Sequence, residues 1–211
     1  MADKIVGSNN EPLKVQFITD VHYYSTKLGT HGKAYDKMES KSQMVIKDSP
    51  LVIKRAFDML CEDTSTDIVL LSGDTTHDGE MQSHEEFIEM LRDLKKRGKR
   101  VYVITATHDF QDNGIAYAYE GDERVEVPAV GDRHDLWDMY YEFGPNEAIA
   151  VHKESMCYVV QLAPGYRLFA LNDDTNYKPE GERGSGFSDD CMAWIMEQLE
   201  DAKKNDQFVI A

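Results

Sequence analysis

Apolar positions along this chain recur with two periods that alternate. Residues 14–19 carry Val15, Phe17 and Ile18 and read as a buried strand. Asp48-Ser49-Pro50 then opens a helix. Pro50 sits in the first turn, where its missing N–H costs nothing, and Ile53, Ala56, Phe57 and Leu60 follow at helical spacing. Residues 67–72 run apolar without interruption through Ile68, Val69, Leu70 and Leu71, the pattern of a strand covered on both faces. Ser83 and Glu86 make a capping-box pattern ahead of a second helix with Ile88, Leu91 and Leu94 as its stripe. Lys95, Lys96 and Arg97 load its last turn, and Gly98 ends it. Residues 101–105 make a third strand. This β-α-β-α-β succession predicts a parallel sheet with helices packed on it, a three-layer α/β arrangement.

Beyond His108 the pattern is less regular. Residues 112–133 read as loop with little regular structure, and residues 136–143 as a helix closed by Gly144-Pro145. Residues 156–162 and 166–171 resemble a hairpin around Pro164-Gly165. Ser188, with Asp189 and Asp190, starts a last helix (Met192, Ile195, Met196, Leu199) ending near Lys203-Lys204, and residues 208–211 begin a strand. No repeat or linker divides the chain, so residues 1–211 are expected to form a single domain, with residues 1–12 disordered.

Composition sets limits on partners. The 211 residues are 41% hydrophobic and 29% charged, enough to bury a sizeable core. No apolar run approaches the ~20 residues that cross a bilayer, and residues 1–15 lack the apolar stretch of a secretory signal. The three cysteines, Cys61, Cys157 and Cys191, show neither a disulfide framework nor CxxC spacing; reduced thiols in a cytoplasmic protein are expected. With 23 basic against 39 acidic residues the net charge is -16, which argues against broad nucleic-acid binding. A phosphate-ester substrate would need local positive charge, and bound divalent metal is the candidate.

The residues able to do chemistry stand at the ends of the three strands. Asp20 and His22 follow the first; at positions i and i+2 of extended backbone a carboxylate and an imidazole point the same way and can converge on Zn, Mn or Fe. Gly73-Asp74, with Gly79 closing the turn, follows the second, an acid placed as a bridging ligand beside a glycine that admits close approach. Thr107-His108-Asp109 follows the third; an Asp beside a His can accept one ring N–H and leave the other nitrogen for catalysis. Three consecutive strands each ending in Asp or His is the informative coincidence, because parallel sheets place their sites at carboxyl ends.

These blocks resemble the calcineurin-like metallophosphoesterases, whose motifs run D-x-H, G-D-x-x-x-x-G, G-N-H-[DE], a lone His, then G-H-x-H. Asp20 and His22 match the first, Gly73, Asp74 and Gly79 the second, and His108 and Asp109 the third, where Ala106-Thr107 replaces the expected Gly-Asn. Residues 158–174 and 188–204 are similar to the segments preceding the fourth block. The resemblance implies a β-sandwich flanked by helices and a phosphoesterase using two divalent or trivalent ions (Mn, Fe or Zn). Asp20 and His22 would bind the first ion, Asp74 would bridge both, and Thr107 would stand at the second. His108, supported by Asp109, would contact the phosphate or protonate the leaving oxygen. Histidines occur only at 22, 31, 77, 84, 108, 134 and 152, so the lone His and the G-H-x-H block are expected beyond Ala211, and the 211-residue piece alone is expected to be inactive. A non-catalytic relative kept as a binding module is the alternative. An aspartyl-nucleophile phosphatase is disfavoured, because its second acid would stand where His22 is.

The remaining histidines are expected at the surface: His77 although it lies inside the second block, and His84, His134 and His152. His31 falls in residues 23–47, a long segment that suggests a lid or substrate wall. Tyr23, Tyr24, Tyr117 and Tyr119 are candidates to line a pocket.

Overall fold

The computed structural model describes residues 12–42, 44–173, 176–177, 183–184 and 186–211. The disorder expected of residues 1–12 thus lies outside the described residues except at Pro12, and Asp174 lies outside them as well. The chain contains two compact units, one spanning Val15–Tyr140 and one containing Tyr141–Ala211.

In the first unit the elements are β1 (Gln16–Ile18), α1 (Lys33–Glu39), α2 (Ser49–Glu62), β2 (Ile68–Ser72), α3 (Met81–Lys96), β3 (Arg100–Ile104), β4 (Ile115–Glu120), β5 (Glu123–Pro128) and α4 (Arg133–Met139). β1, β2 and β3 form the expected parallel sheet in that order, with Phe17 opposite Leu70 and Leu71 opposite Val103. The central position of β2 explains its unbroken apolar run, since residues 68–71 are all buried. β1 is shorter than residues 14–19 and less buried than expected. Among the described residues it has one neighbour in its sheet, and Phe17 is 61% exposed.

The helices follow their stripes with one correction. α2 has Pro50 in its first turn and buries Ile53 and Phe57. α3 buries Phe87, Leu91 and Leu94 completely, roughly 1.5–3 kcal/mol for each side chain removed from water. Its start is three residues earlier than the capping-box pattern indicates, with Glu80 at the N-cap in place of Ser83. Ser83 lies inside the helix, where its hydroxyl accepts from the Ser25 N–H at 3.1 Å, and Glu86 pairs instead with Lys27 and the Tyr23 hydroxyl. A tertiary donor took the hydroxyl that local chemistry would have used as a cap.

Residues 112–133 are not loop. β4 and β5 form an antiparallel hairpin joined by Gly121-Asp122. Its apolar side, Ala118 with Val125 and Val127, packs on Tyr24, Leu28, Tyr35 and Ile46. Charged residues on the other side, Arg124 and Glu126 among them, hid the alternation. α4 starts at Arg133, earlier than expected, because the Asp132 side chain caps it by accepting from the His134 N–H at 2.8 Å. It ends at Met139, and residues after it turn before Gly144.

In the second unit β6 (Ala148–His152), β7 (Cys157–Ala163), β8 (Tyr166–Ala170), β9 (Asn176–Tyr177), β10 (Arg183–Gly184), α5 (Asp189–Lys204) and β11 (Phe208–Ile210) follow. The main sheet runs β11-β8-β7-β6, parallel only between β8 and β11. β7 and β8 make the expected hairpin, and Ser188 caps α5 by accepting from the Cys191 N–H. α5 lays Cys191, Ile195 and Ala202 on Cys157, Val159 and Phe169. Cys157 and Cys191 are free thiols with sulfurs 3.9 Å apart, and burial pushes the Cys157 thiol up to about 11. His152 is not a surface residue. It is 9% exposed, held by the Ser155 hydroxyl at 2.8 Å and Asp190 Oδ2 at 2.9 Å. Helices and sheets together make a mixed α/β fold. No helix among the described residues is long and apolar enough to cross a membrane.

Candidate metal centre

The turn after β1 carries Asp20 and His22 in left-handed backbone (φ 52° and 44°), and Asp74 after β2 is left-handed too (φ 48°). Asp and His are among the few non-glycine types that enter this region readily. Such conformers concentrate at functional sites when the surroundings hold them in place. Here backbone bonds do the holding: His22 N–H donates to the Asp74 carbonyl and Tyr23 N–H to the Thr75 carbonyl, both at 2.9 Å. The two turns thereby continue the parallel pairing of β1 and β2 past the strand ends. Asp20 and His22 do converge, but through this positive-φ turn and not through the extended i, i+2 geometry expected.

Gly73 (φ 77°) is needed for close approach, since a Cβ there would lie 2.6 Å from Ala106 Cβ. Gly79 closes the same turn against the Phe110 backbone, 2.8 Å from where its Cβ would be. Both glycines let the turn after β2 lie flat on the turn after β3.

Donor atoms of Asp20, His22 and Asp74 lie within 4.8 Å of one another. His22 Nε2 is 3.9 Å from Asp20 Oδ1 and 3.8 Å from Asp74 Oδ2. The other carboxylate oxygen of Asp74, Oδ1, accepts from the His108 N–H at 3.1 Å. Asp74 therefore stands between His22 and His108, whose rings meet edge-on at 4.9 Å. His22 Nδ1 is buried with no partner among the described residues, an orphaned atom of the sort that an ion-binding or hydrated site explains. Two carboxylates and an imidazole suit Zn, Mn or Fe, so the residues present fit the metals expected. Thr107 is exposed at the first position of a one-turn 3-10 helix, residues 107–109.

His108 and Asp109 divide differently from the expectation. The His108 ring is oriented by the His77 carbonyl, to which Nδ1–H donates at 2.8 Å; Asp78 Oδ1 is 3.8 Å away. Because a carbonyl only accepts, Nδ1 carries the proton and Nε2 is left open. Asp109 does not touch the ring. Fully buried, its carboxylate accepts from the Thr76 N–H and the Ala106 N–H, both at 2.9 Å, and from the Thr75 hydroxyl. It ties the turns after β2 and β3 together from beneath.

Several members of this platform escaped sequence reading. His84, expected at the surface, is wholly buried: Nε2–H donates to the Asp109 carbonyl and Nδ1 accepts from the Tyr140 hydroxyl, both at 2.8 Å. Burial holds its pKa below the usual value, in keeping with a neutral ring. Its spacing from Ile88 and Leu91 was the available signal, since all three share the core face of α3. His77 is not solvent-facing either. It packs edge-on to Tyr24, and burial lowers its pKa. His31 and His134 are exposed, as is the alternative tether of His134, Asp132. Tyr23 and Tyr24 belong to the core, while Tyr119 lines a cleft.

A dimetal phosphatase from Danio rerio, known from its crystal structure, has the same fold with a TM-score of 0.59 at 13% identity. The similarity covers 92% of this chain and 66% of that one, so this chain spans about two thirds of the neighbour's length. Among curated proteins no sequence matches. The family description "calcineurin-like phosphoesterase" matches residues 13–211. With that match running through both units, and Asp20, His22, Asp74, His108 and Asp109 in their motif positions, the chain belongs to the calcineurin-like phosphoesterase family.

Proposed function

We propose that the chain provides the catalytic residues of a metal-dependent phosphoric ester hydrolase acting on a phosphomonoester or phosphodiester. The observation that carries this reading is the convergence of Asp20, His22 and Asp74 within 4.8 Å, with His108 bonded to the same Asp74. Asp20 and His22 would hold one ion, Asp74 would be shared, and Thr107 would offer its hydroxyl to a second, the pair drawn from Mn, Fe or Zn. Bound there, the ions would supply a hydroxide at neutral pH and positive charge for the phosphoryl oxygens. One domain comprising both units is the organisation that the single family match supports. The free thiols support a reducing, cytoplasmic setting.

His108 has the part its own bonds prescribe. With Nδ1–H engaged by the His77 carbonyl, Nε2 is the open atom: it would donate to a phosphoryl oxygen or protonate the leaving oxygen from the doubly protonated, cationic ring, whereas in the neutral ring it only accepts. Asp109 keeps the turn bearing His108 in place and acts on the ring only through that backbone. In the metal-loaded enzyme, His108→Ala should lower kcat on an alkyl phosphate ester by about two to four orders of magnitude. The loss should be smaller on a nitrophenyl ester, whose leaving group needs little protonation. Undiminished turnover of the alkyl ester by the variant would remove His108 from the chemistry.

A further inference from the structure

A cleft of about 610 Å³ opens between α1, the β4–β5 hairpin and the turn after β2. Lys37 and Lys41 enter it from α1 and the residues after it, Arg124 from β5, and His77 from the turn that also holds Asp74. Tyr119 and Met38 supply its apolar side. No Asp or Glu lines it among the described residues, although the chain has 39 acidic residues against 23 basic ones. Lys37, Lys41 and Arg124 make no ion pair among the described residues, whereas Lys27, Lys33, Lys54, Arg55, Arg97 and Arg167 all do. The Arg124 guanidinium lies 3.6 Å over the Tyr117 ring, a stacking that fixes the plane and leaves the donor edges free. Three cations without an ion pair among the described residues give the cleft a local positive potential in a strongly acidic chain, although the charges of Asp78 and Glu80 also reach its wall at His77 and Tyr119. The cleft also adjoins the candidate metal centre, because His77 both lines it and orients His108 through its carbonyl.

We infer that this cleft is an anion subsite for a second phosphate group of the substrate, which makes the substrate class a phosphoric ester bearing a further phosphate. A phosphate carries close to two negative charges and three strong acceptor oxygens, the complement of two lysines and an arginine fork. The substrate assignment rests on the phosphoesterase reading; the anion site itself stands on the cleft alone. The two are separable by experiment.

Inorganic pyrophosphate titrated calorimetrically into the metal-free chain, with chelator present and at low salt, should bind saturably at one site. Lys37→Gln combined with Arg124→Gln should weaken it at least tenfold. Both residues are exposed, so the fold is not at risk. Lys203→Gln, an exposed lysine at the end of α5, and His22→Ala in the candidate metal centre should each leave the affinity within about twofold. Absence of saturable binding by the unaltered chain overturns the inference. So does equal weakening by Lys203→Gln, which would mark general charge attraction, or by His22→Ala, which would place the anion at the metal centre. Binding that follows the expected pattern in a protein without hydrolase activity would uphold the anion site and count against the proposed function only.

Discussion

Removing the Asp109 side chain tests whether this residue is a girder beneath the site or an orienting partner of His108. In Asp109→Ala the Thr75 hydroxyl can turn to Tyr140, 3.2 Å away, and the Thr76 hydroxyl to the His108 carbonyl at 3.2 Å. The backbone N–H groups of Thr76 and Ala106 have no such alternative. Each unsatisfied buried donor costs about 1–3 kcal/mol, with Ala106 at the low end because it is only half-buried. Adding the lost packing gives about 3–5 kcal/mol, a large share of the 5–15 kcal/mol typical of a domain. In urea, with a slope near 2 kcal/mol per M, the midpoint should fall by about 2 M. Asp109→Asn keeps an oxygen toward Thr75 and Thr76 and turns an amide toward the Ala106 N–H, so it should cost less than Ala. The His108 tautomer, read by nitrogen NMR, should stay Nδ1–H in both variants, because its acceptor is the His77 carbonyl. A midpoint shift worth under 1 kcal/mol in Asp109→Ala, or a change of the His108 tautomer in Asp109→Asn, would refute the reasoning.

Asp74→Ala should weaken manganese binding at least tenfold, whereas His108→Ala, which meets Asp74 only through its backbone N–H, should leave it within about twofold; equal losses in a metal titration would contradict the assignment of Asp74 as a ligand. Thr107→Asn should tighten a second ion and leave the first unchanged, since an amide oxygen is a better donor than a hydroxyl; per-site metal content decides it. Glu80, buried at the start of α3 with Oε2 unpartnered, has its pKa raised from 4.5 to about 7 by burial. Between those values the unfolded chain has lost a proton that the folded chain keeps, so stability falls as pH rises from 4.5 toward 7, by up to about 3 kcal/mol. Glu80→Gln should therefore flatten the urea midpoint between pH 5 and pH 8 and be more stable than the unaltered chain at pH 8; a variant with the same pH slope would show that another group sets it.

Reading residues in order was enough to place β1, β2 and β3 with the helices between them, because a central parallel strand must be apolar throughout and its helices must carry a stripe. It was enough, too, to mark Asp20, His22, Asp74 and His108 as candidates that would lie together, as they do, since carboxyl ends of parallel strands are contiguous in space. Tertiary structure alone decided how they meet. The positive-φ turns at Asp20, His22 and Asp74 are held by bonds between residues about fifty positions apart, which no local propensity encodes. The same applies to the partners: Asp109 sits beside His108 in sequence yet bonds Thr75, Thr76 and Ala106, while His77, 31 residues away, orients the ring. The β4–β5 hairpin was hidden because its outer face carries charge, and burial of His84 and His152 depended on hydrogen-bond partners supplied by distant elements. Periodicity records which face of an element is buried; it does not record which polar group waits in the core to pair with it.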